Sequence, residues 1–252
     1  MPAWLHAFRA SFTFLTRIPV GGFPYPSDTW KWISIWFPVV GFVLGGLSCG
    51  LFLSLPDALS FWSRAVMIVG IGILVTGGFH EDGLADTADA LGGAYDADHV
   101  LKILKDSRIG AFGGMALFIA LALRVSLLAD LESQMIWGLL LGQSLSRAAS
   151  TMQLALFPYV HNPHGSKSKD VAVSGRVQFG IALMWMMVIL GGSFFWGISL
   201  QTIGILCLTL GCLIGTLGHY FMKRAGGLTG DFLGATQQIT ELSILFILVV
   251  DL

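Results

Sequence analysis

The run His80-Glu81-Asp82-Gly83-Leu84-Ala85-Asp86-Thr87-Ala88-Asp89 packs four carboxylates into nine residues of a chain that is otherwise strongly apolar. Asp82, Asp86 and Asp89 stand at i, i+4 and i+7. A helix turning about 100° per residue gathers them on one narrow face. Like charges stacked there repel, so the stretch costs stability unless a cation sits among them. Carboxylate oxygens are hard donors. A small open set of them suits Mg²⁺, which keeps several waters and binds substrate phosphate. A solvated helix cap accounts for Asp82 but not for three acids on one stripe. His80 abuts the acids and is placed to ligate or to shuttle a proton, although a lone His at a membrane interface commonly does neither.

Two further segments carry related groups. Lys105-Asp106-Ser107-Arg108-Ile109-Gly110-Ala111-Phe112-Gly113-Gly114 joins two cations and a hydroxyl to a glycine-rich turn at a helix start. Backbone N–H groups at such a start, with Arg and Lys beside them, make a phosphate site. Lys and Arg before a span serve equally as interface anchors, so this assignment depends on the acids nearby. In Gly226-Gly227-Leu228-Thr229-Gly230-Asp231-Phe232-Leu233-Gly234-Ala235 the glycines permit tight turns and close backbone approach. Asp231 and Glu241 are acids in or near an apolar helix, which is costly unless they face a cavity or a cation. Thr229 or Asp231 can instead cap that helix. Gln237 and Gln238 either donate to a substrate or bond between helices. Arg147 interrupts an apolar run near its middle, so it must pair with an acid or line a polar cavity. His161 and His164 lack acids or cysteines at zinc spacing, and 159–165 reads as a loop that touches substrate.

The elements that must hold these groups follow from composition. Hydrophobic residues make up 55% and charged residues 12% of the 252, and mean hydropathy is +0.77. A soluble domain carries roughly twice that charge. The chain therefore reads as an all-α, polytopic transmembrane bundle, one integral membrane domain over 1–252 with six or seven spans. A net charge of −1 gives no basis for nucleic-acid binding. Cys49, Cys207 and Cys212 sit in apolar stretches and read as small packing residues. In 1–18, Trp4, Leu5, Phe8, Phe12 and Leu15 recur on a helical period with Arg9 and Arg17 between them. This predicts an amphipathic helix on the membrane surface, ended by Pro19, rather than a cleavable signal.

Spans are expected over 32–56, 65–79, 109–129 and 135–159. Two more lie within 177–222, with a turn near 197–202. The last runs to 250 from either 239 or 230. The second can run on into the acidic stretch. Basic residues fall in alternate loops: Arg9, Arg17 and Lys31, then Lys102, Lys105 and Arg108, then Lys167, Lys169 and Arg176, then Lys223 and Arg224. The positive-inside rule turns these loops to the cytoplasm, together with the acidic run and the 99–114, 160–176 and 223–241 segments.

Residues 78–93, Gly-Phe-His-Glu-Asp-Gly-Leu-Ala-Asp-Thr-Ala-Asp-Ala-Leu-Gly-Gly, closely resemble the signature of the cobalamin synthase family, the adenosylcobinamide-GDP ribazoletransferases. Lys105 to Gly110 and Gly230 to Ala235 are similar to that family's other two motifs, in the same order, and length and hydropathy match over essentially the whole chain. The resemblance implies a Mg²⁺-dependent phosphoryl transfer at the cytoplasmic (inner) membrane. The ribose hydroxyl of α-ribazole, or of its 5′-phosphate, attacks the phosphorus linked to the cobinamide arm of adenosylcobinamide-GDP, and GMP leaves. It implies that Asp82 and Asp86, with Glu81 or Asp89 completing the set, hold one or two Mg²⁺. Asp89 would take the hydroxyl proton, and Lys105 and Arg108 would stabilise the departing phosphate. Ser107, Arg147, Asp231, Gln238 and His80 are the candidates for substrate contact. The lipid bilayer is the other expected partner, and a homo-oligomer is left open.

Two rivals remain at this level. An ion-coupled transporter would also use intramembrane acids, Arg147 and glycine-broken helices. Against it, the acids cluster toward one membrane edge and no inverted repeat is visible. The pattern Asp82-Gly83-x-Ala85-Asp86-x-x-Asp89 is also loosely similar to the CDP-alcohol phosphotransferases, but lacks their Ala-Arg pair after the first acids.

Overall fold

Glycines, prolines and short polar side chains set where each apolar run stops. The structure is a computed structural model and describes residues 3–160 and 174–251. Helix α1, Ala3–Leu15, buries Ala7, Ala10, Phe12 and Leu15 against a 3₁₀ segment, Ser27–Trp36, and the start of α2, Phe37–Ser54. Pro38 lies in the first turn of α2, where its missing N–H leaves no bond unmade. Ser60 caps α3, Phe61–Thr76, by accepting from the Ser63 N–H.

α3 ends at Gly77 and Gly78, whose φ values are +71° and +68°. Two left-handed residues in succession suit glycine, and they form an elbow. Helix α4, Phe79–Gly93, leaves it at 89° to α3. The second span therefore does not run straight on into the acids; it breaks and turns just before them. Next come the short α5, Ala97–Ile103, then α6, Ala111–Asp130, and α7, Met135–Leu156. The chain continues with α8, Arg176–Phe195, α9, Leu200–Ala225, and α10, Gly230–Asp251. Ser199 caps α9 by accepting from the Thr202 N–H, which fixes the turn expected near 197–202. The last helix takes the longer of the two expected starts.

Among the described residues, five helices are long and apolar enough to cross a membrane, or six if the bent α3–α4 pair counts as one span. This is a multi-pass membrane protein. The crossing expected over 135–159 is α7, a 22-residue helix that is not among those five. Gln143, Ser144, Ser146, Arg147, Thr151 and Gln153 dilute its hydropathy, and all are buried. It lies at the centre, packed by α2, α8 and α10. Its polar groups face protein rather than lipid, which is why hydropathy alone does not mark it. The seven expected crossings thus correspond to helical segments, but not to seven apolar ones.

Candidate active site

Helix α4 carries the acids and is pinned from several directions. Gly83 packs against the start of α10. A Cβ there would lie 2.9 Å from the Asp231 carbonyl oxygen and 3.2 Å from the Gly234 Cα. One glycine from the first motif and one from the third therefore let two helices touch by backbone. That contact brings Asp231 to the acid stripe. The charges of Asp82 and Asp86 act on Asp231, and those of Asp82 and Asp89 act on Asp86. Thr229, rather than Asp231, caps α10, with the Phe232 N–H donating to its Oγ1 at 3.3 Å. Asp82 is exposed, while Asp86, Asp89 and Asp231 are half-buried.

Asp89 closes the start of α6. Its two carboxylate oxygens accept from the Gly110 N–H at 2.7 Å and the Gly113 N–H at 2.8 Å. The glycine-rich helix start does bind an anion, but the anion is Asp89. Those two N–H groups are therefore already occupied by a carboxylate, and the cations of the preceding loop are the groups left for an anion from outside the chain. Lys105, Ser107 and Arg108 are exposed there. The Arg108 guanidinium forks onto Asp106, with Nε 2.9 Å from Oδ1 and Nη2 2.6 Å from Oδ2. These bonds hold the Asp106 carboxyl down to about 2 and raise the Arg108 pKa above its ordinary value.

A groove of about 600 Å³ opens beside Asp82. Its walls come from the end of α1 with Phe14 and Arg17, from the Gly77–Gly78 elbow, and from Ile109 of the 104–110 loop. The Arg17 N–H donates to the Val75 carbonyl at 2.7 Å, and its guanidinium lies over Gly77, where a Cβ would collide with it. In the sequence Arg17 reads as a cation of the N-terminal amphipathic segment and of the first basic loop; its place at the groove comes from the fold.

Beneath the stripe lies a buried polar network. Arg124 pairs with Glu81 at 3.1 Å and with Glu241 at 2.8 Å. Gln143 and Gln237 donate to the two Glu241 oxygens at 2.8 and 2.7 Å, and Gln238 donates to Glu81 at 3.2 Å. Arg147 donates to the Gln143 Oε1 at 2.7 Å and lines a cavity with His80, Glu81 and Arg124. Glu81 lies about 100° around the helix from Asp82. Offered above as a ligand that completes the metal set, it is engaged by Arg124 and Gln238 on a different face. Arg124 was missed as a site residue. The cost of a lone charge in an apolar span, applied to Arg147, was the signal that points to it too.

The other end of α4 is held by Arg224 of α9, which donates to the carbonyls of Leu91, at 3.1 Å, and Ala94. A cation at a helix C-terminus satisfies orphan carbonyls and meets the favourable end of the dipole. Residues 158–160 join the same cluster through backbone bonds between Leu228 N–H and Pro158 O and between Val160 N–H and Leu228 O, both 2.8 Å. The loop with His161, His164, Lys167 and Lys169 lies outside the described residues.

Among the described residues, no three His, Cys, Asp or Glu side chains converge tightly enough to enclose an ion. What the stripe offers is an open, all-oxygen set, with Asp82 and Asp86 on one helix and Asp231 across from them. That suits Mg²⁺, which takes one or two carboxylates and completes its octahedron with water and substrate oxygens.

A family model described as cobalamin-5-phosphate synthase matches residues 7–249. A protein of Polaromonas sp. named adenosylcobinamide-GDP ribazoletransferase is 36% identical over 281 residues, covering 99% of this chain and 98% of its own length. Proteins of the same name from Shewanella amazonensis and Vibrio cholerae are each 37% identical and cover 97% of this chain, and 95% and 93% of their own lengths. No solved structure matches. The three sequence motifs meet around α4, as the contacts of Gly83 with Gly234 and of Asp89 with Gly110 and Gly113 require, and on this agreement of pattern, geometry and kinship the chain belongs to the cobalamin-5-phosphate synthase family.

Proposed function

We propose that this transferase of cobalamin synthesis joins α-ribazole, or its 5′-phosphate, to adenosylcobinamide-GDP, releasing GMP and giving adenosylcobalamin or its 5′-phosphate. The observation that carries the proposal is that Gly83 packs the acid helix α4 against the backbone of Asp231, with Asp82 of the stripe lining an open groove. The relatives' name, adenosylcobinamide-GDP ribazoletransferase, supports adenosylcobinamide-GDP as one substrate and a ribazole as the group joined to it. The ribose hydroxyl oxygen forms a bond to the phosphorus beside the cobinamide arm. The bond from that phosphorus to the GMP oxygen breaks, GMP takes the electron pair, and the hydroxyl proton passes to a carboxylate.

Asp82 and Asp86 would hold Mg²⁺, which when bound neutralises charge on the diphosphate as GMP departs. Both Asp89 oxygens already accept backbone N–H bonds. We therefore assign the proton to Asp231, and to Asp89 the task of holding the 105–110 loop against the stripe. Lys105 and Arg108 of that loop would receive the departing phosphate, with Arg108 exchanging the Asp106 carboxylate for it. The basic loops support a site that faces the cytoplasm from the inner membrane. The apolar and aromatic face of α1 supports a helix lying along the membrane surface.

Purified protein in lipid nanodiscs, given adenosylcobinamide-GDP, α-ribazole and Mg²⁺, is expected to release one GMP per cobalamin formed, read by chromatography and mass. Intact adenosylcobinamide-GDP after prolonged incubation would overturn the proposal.

A further inference from the structure

We infer that the cavity between α2, α3 and the buried ion network receives the benzimidazole base of α-ribazole, an inference that rests on the function proposed above. The cavity measures about 170 Å³. Its wall on the α2 and α3 side is aliphatic, with Leu44, Leu51, Ile68 and Val75, and its opposite wall carries Glu81, Arg124 and Arg147. Thr76 and Glu81 line both this cavity and the groove beside Asp82. The cavity and the groove therefore adjoin at these two side chains, one of which, Glu81, is the immediate neighbour of Asp82 in α4.

Three buried atoms of the polar wall have no partner: Nε of Arg124, Nε of Arg147 and Oε2 of Glu81. A buried polar group without a partner costs stability, so these atoms call for a ligand or water with matching chemistry. They offer two donors and one acceptor. The base of α-ribazole has a bare ring nitrogen that accepts a hydrogen bond, and its ribose has hydroxyls that donate to a carboxylate oxygen. The two arginines are balanced by Glu81 and Glu241. A neutral group is favoured here over a phosphate, which belongs to the acid groove and the loop cations.

Size and polarity narrow the choice. A closed apolar cavity of about 150 Å³ admits a benzene ring. A space of 170 Å³ that adjoins the groove admits a flat bicyclic base with its ribose at the shared wall. A corrin macrocycle is far too large. Guanine has donors and acceptors around most of its rim, and the aliphatic wall would leave them unpaired. A benzimidazole puts carbon against that wall and its one free nitrogen toward the arginines, the pattern of an apolar pocket with a few placed polar groups.

Gly72 lines the cavity, and a Cβ there meets nothing within 4 Å. Gly72→Phe would therefore fill the space without a backbone clash. Gly70 lies on the same helix, is exposed, does not line the cavity and also has open space around it. Gly70→Phe is the control for insertion and folding. Two quantities are read in nanodiscs: the KM of each substrate from GMP release, and direct binding of radiolabelled α-ribazole by equilibrium dialysis.

Gly72→Phe is expected to raise the KM and the dissociation constant of α-ribazole about tenfold or more. The KM of adenosylcobinamide-GDP should stay unchanged, and Gly70→Phe should behave as wild type. Unchanged α-ribazole binding in Gly72→Phe would overturn the inference, as would an equal loss in Gly70→Phe. If the wild type releases no GMP, the proposed reaction falls, and dialysis alone decides the cavity: α-ribazole bound by wild type and lost in Gly72→Phe supports it, and no binding by wild type overturns it.

Discussion

Glu81 and Arg124, 43 positions apart in the chain, pair at 3.1 Å inside the bundle, while the very next residue, Asp82, faces the open groove. One turn of α4 thus divides neighbouring acids between two tasks. Glu81 anchors the helix to α6, and Asp82 stands exposed at the groove where the proposed reaction puts the diphosphate. Arg124→Ala would leave Glu81 and Glu241 buried without their shared cation. Removing one partner of a buried pair costs about 3–5 kcal/mol. Thermal unfolding of the solubilised protein should shift down strongly in Arg124→Ala and much less in Glu81→Gln, whose amide oxygen still accepts from Arg124. Equal melting of Arg124→Ala and wild type would mean that the pair contributes nothing.

Asp89 predicts a different defect. Asp89→Ala removes the cap of α6 and should cost about 1–2 kcal/mol. Hydrogen exchange of the 110–114 amides should accelerate while the core of α7 stays protected. At Gly113 a Cβ would meet both the Asp89 carboxylate and the Ala85 carbonyl, so Gly113→Ala should push α4 and α6 apart and reduce turnover with every acid still in place. Unaltered exchange at 110–114 in Asp89→Ala would remove the cap from the account.

The loop cations can be separated from simple anchoring. A phosphate clamp uses the guanidinium fork, which an ammonium cannot reproduce. Arg108→Lys should therefore insert normally and lose roughly 10²-fold in kcat, given ~3 kcal/mol for a donor used mainly in the transition state. Asp106 is held down to about 2 by its bonds to Arg108. A carboxyl lowered in the folded protein keeps its pairing above its ordinary value near 3.9 and loses it as pH falls from there through about 2. Between pH 5 and 9 the rate profiles of Asp106→Asn and wild type should therefore have the same shape. A limb in that range that vanishes in Asp106→Asn would contradict this. Full activity in Arg108→Lys would move the phosphate role to Arg17, the cation that lines the groove beside Asp82.

Sidedness is open to chemical labelling. With Cys49, Cys207 and Cys212 replaced, single cysteines at Ala97 and Gly226 should react from the cytoplasmic side, and those at Ser133 and Ser199 only from the far side. Labelling of Ala97 from outside would turn the acid groove away from the cytoplasm.

Local pattern in the sequence reached part of this arrangement. Helical spacing alone put Asp82, Asp86 and Asp89 on one face, and the cost of a buried cation sent Arg147 to a polar cavity. The same spacing was silent on partners. Glu241 reaches Arg124 from another helix, and Asp89 closes α6 from 21 and 24 positions away. Such contacts depend on how helices pack, which no periodicity encodes. The Gly77–Gly78 elbow was present in the sequence, but two adjacent glycines after an apolar run fit a flexible joint as well as a right-angled turn. α7 hid its position for the opposite reason. Its polarity pointed away from lipid, and only the surrounding helices reveal that it is central.

The most direct measurement compares wild type with Asp82→Asn in nanodiscs, following GMP release from adenosylcobinamide-GDP and α-ribazole with Mg²⁺ present and after chelation. The amide keeps the shape of Asp82 and loses its charge, so activity should fall by several orders of magnitude, as wild-type activity should on chelation, with recovery of the wild type alone when Mg²⁺ is restored. Near-normal GMP release by Asp82→Asn, or by chelated wild type, would contradict a metal-assisted transfer at the acid stripe of α4.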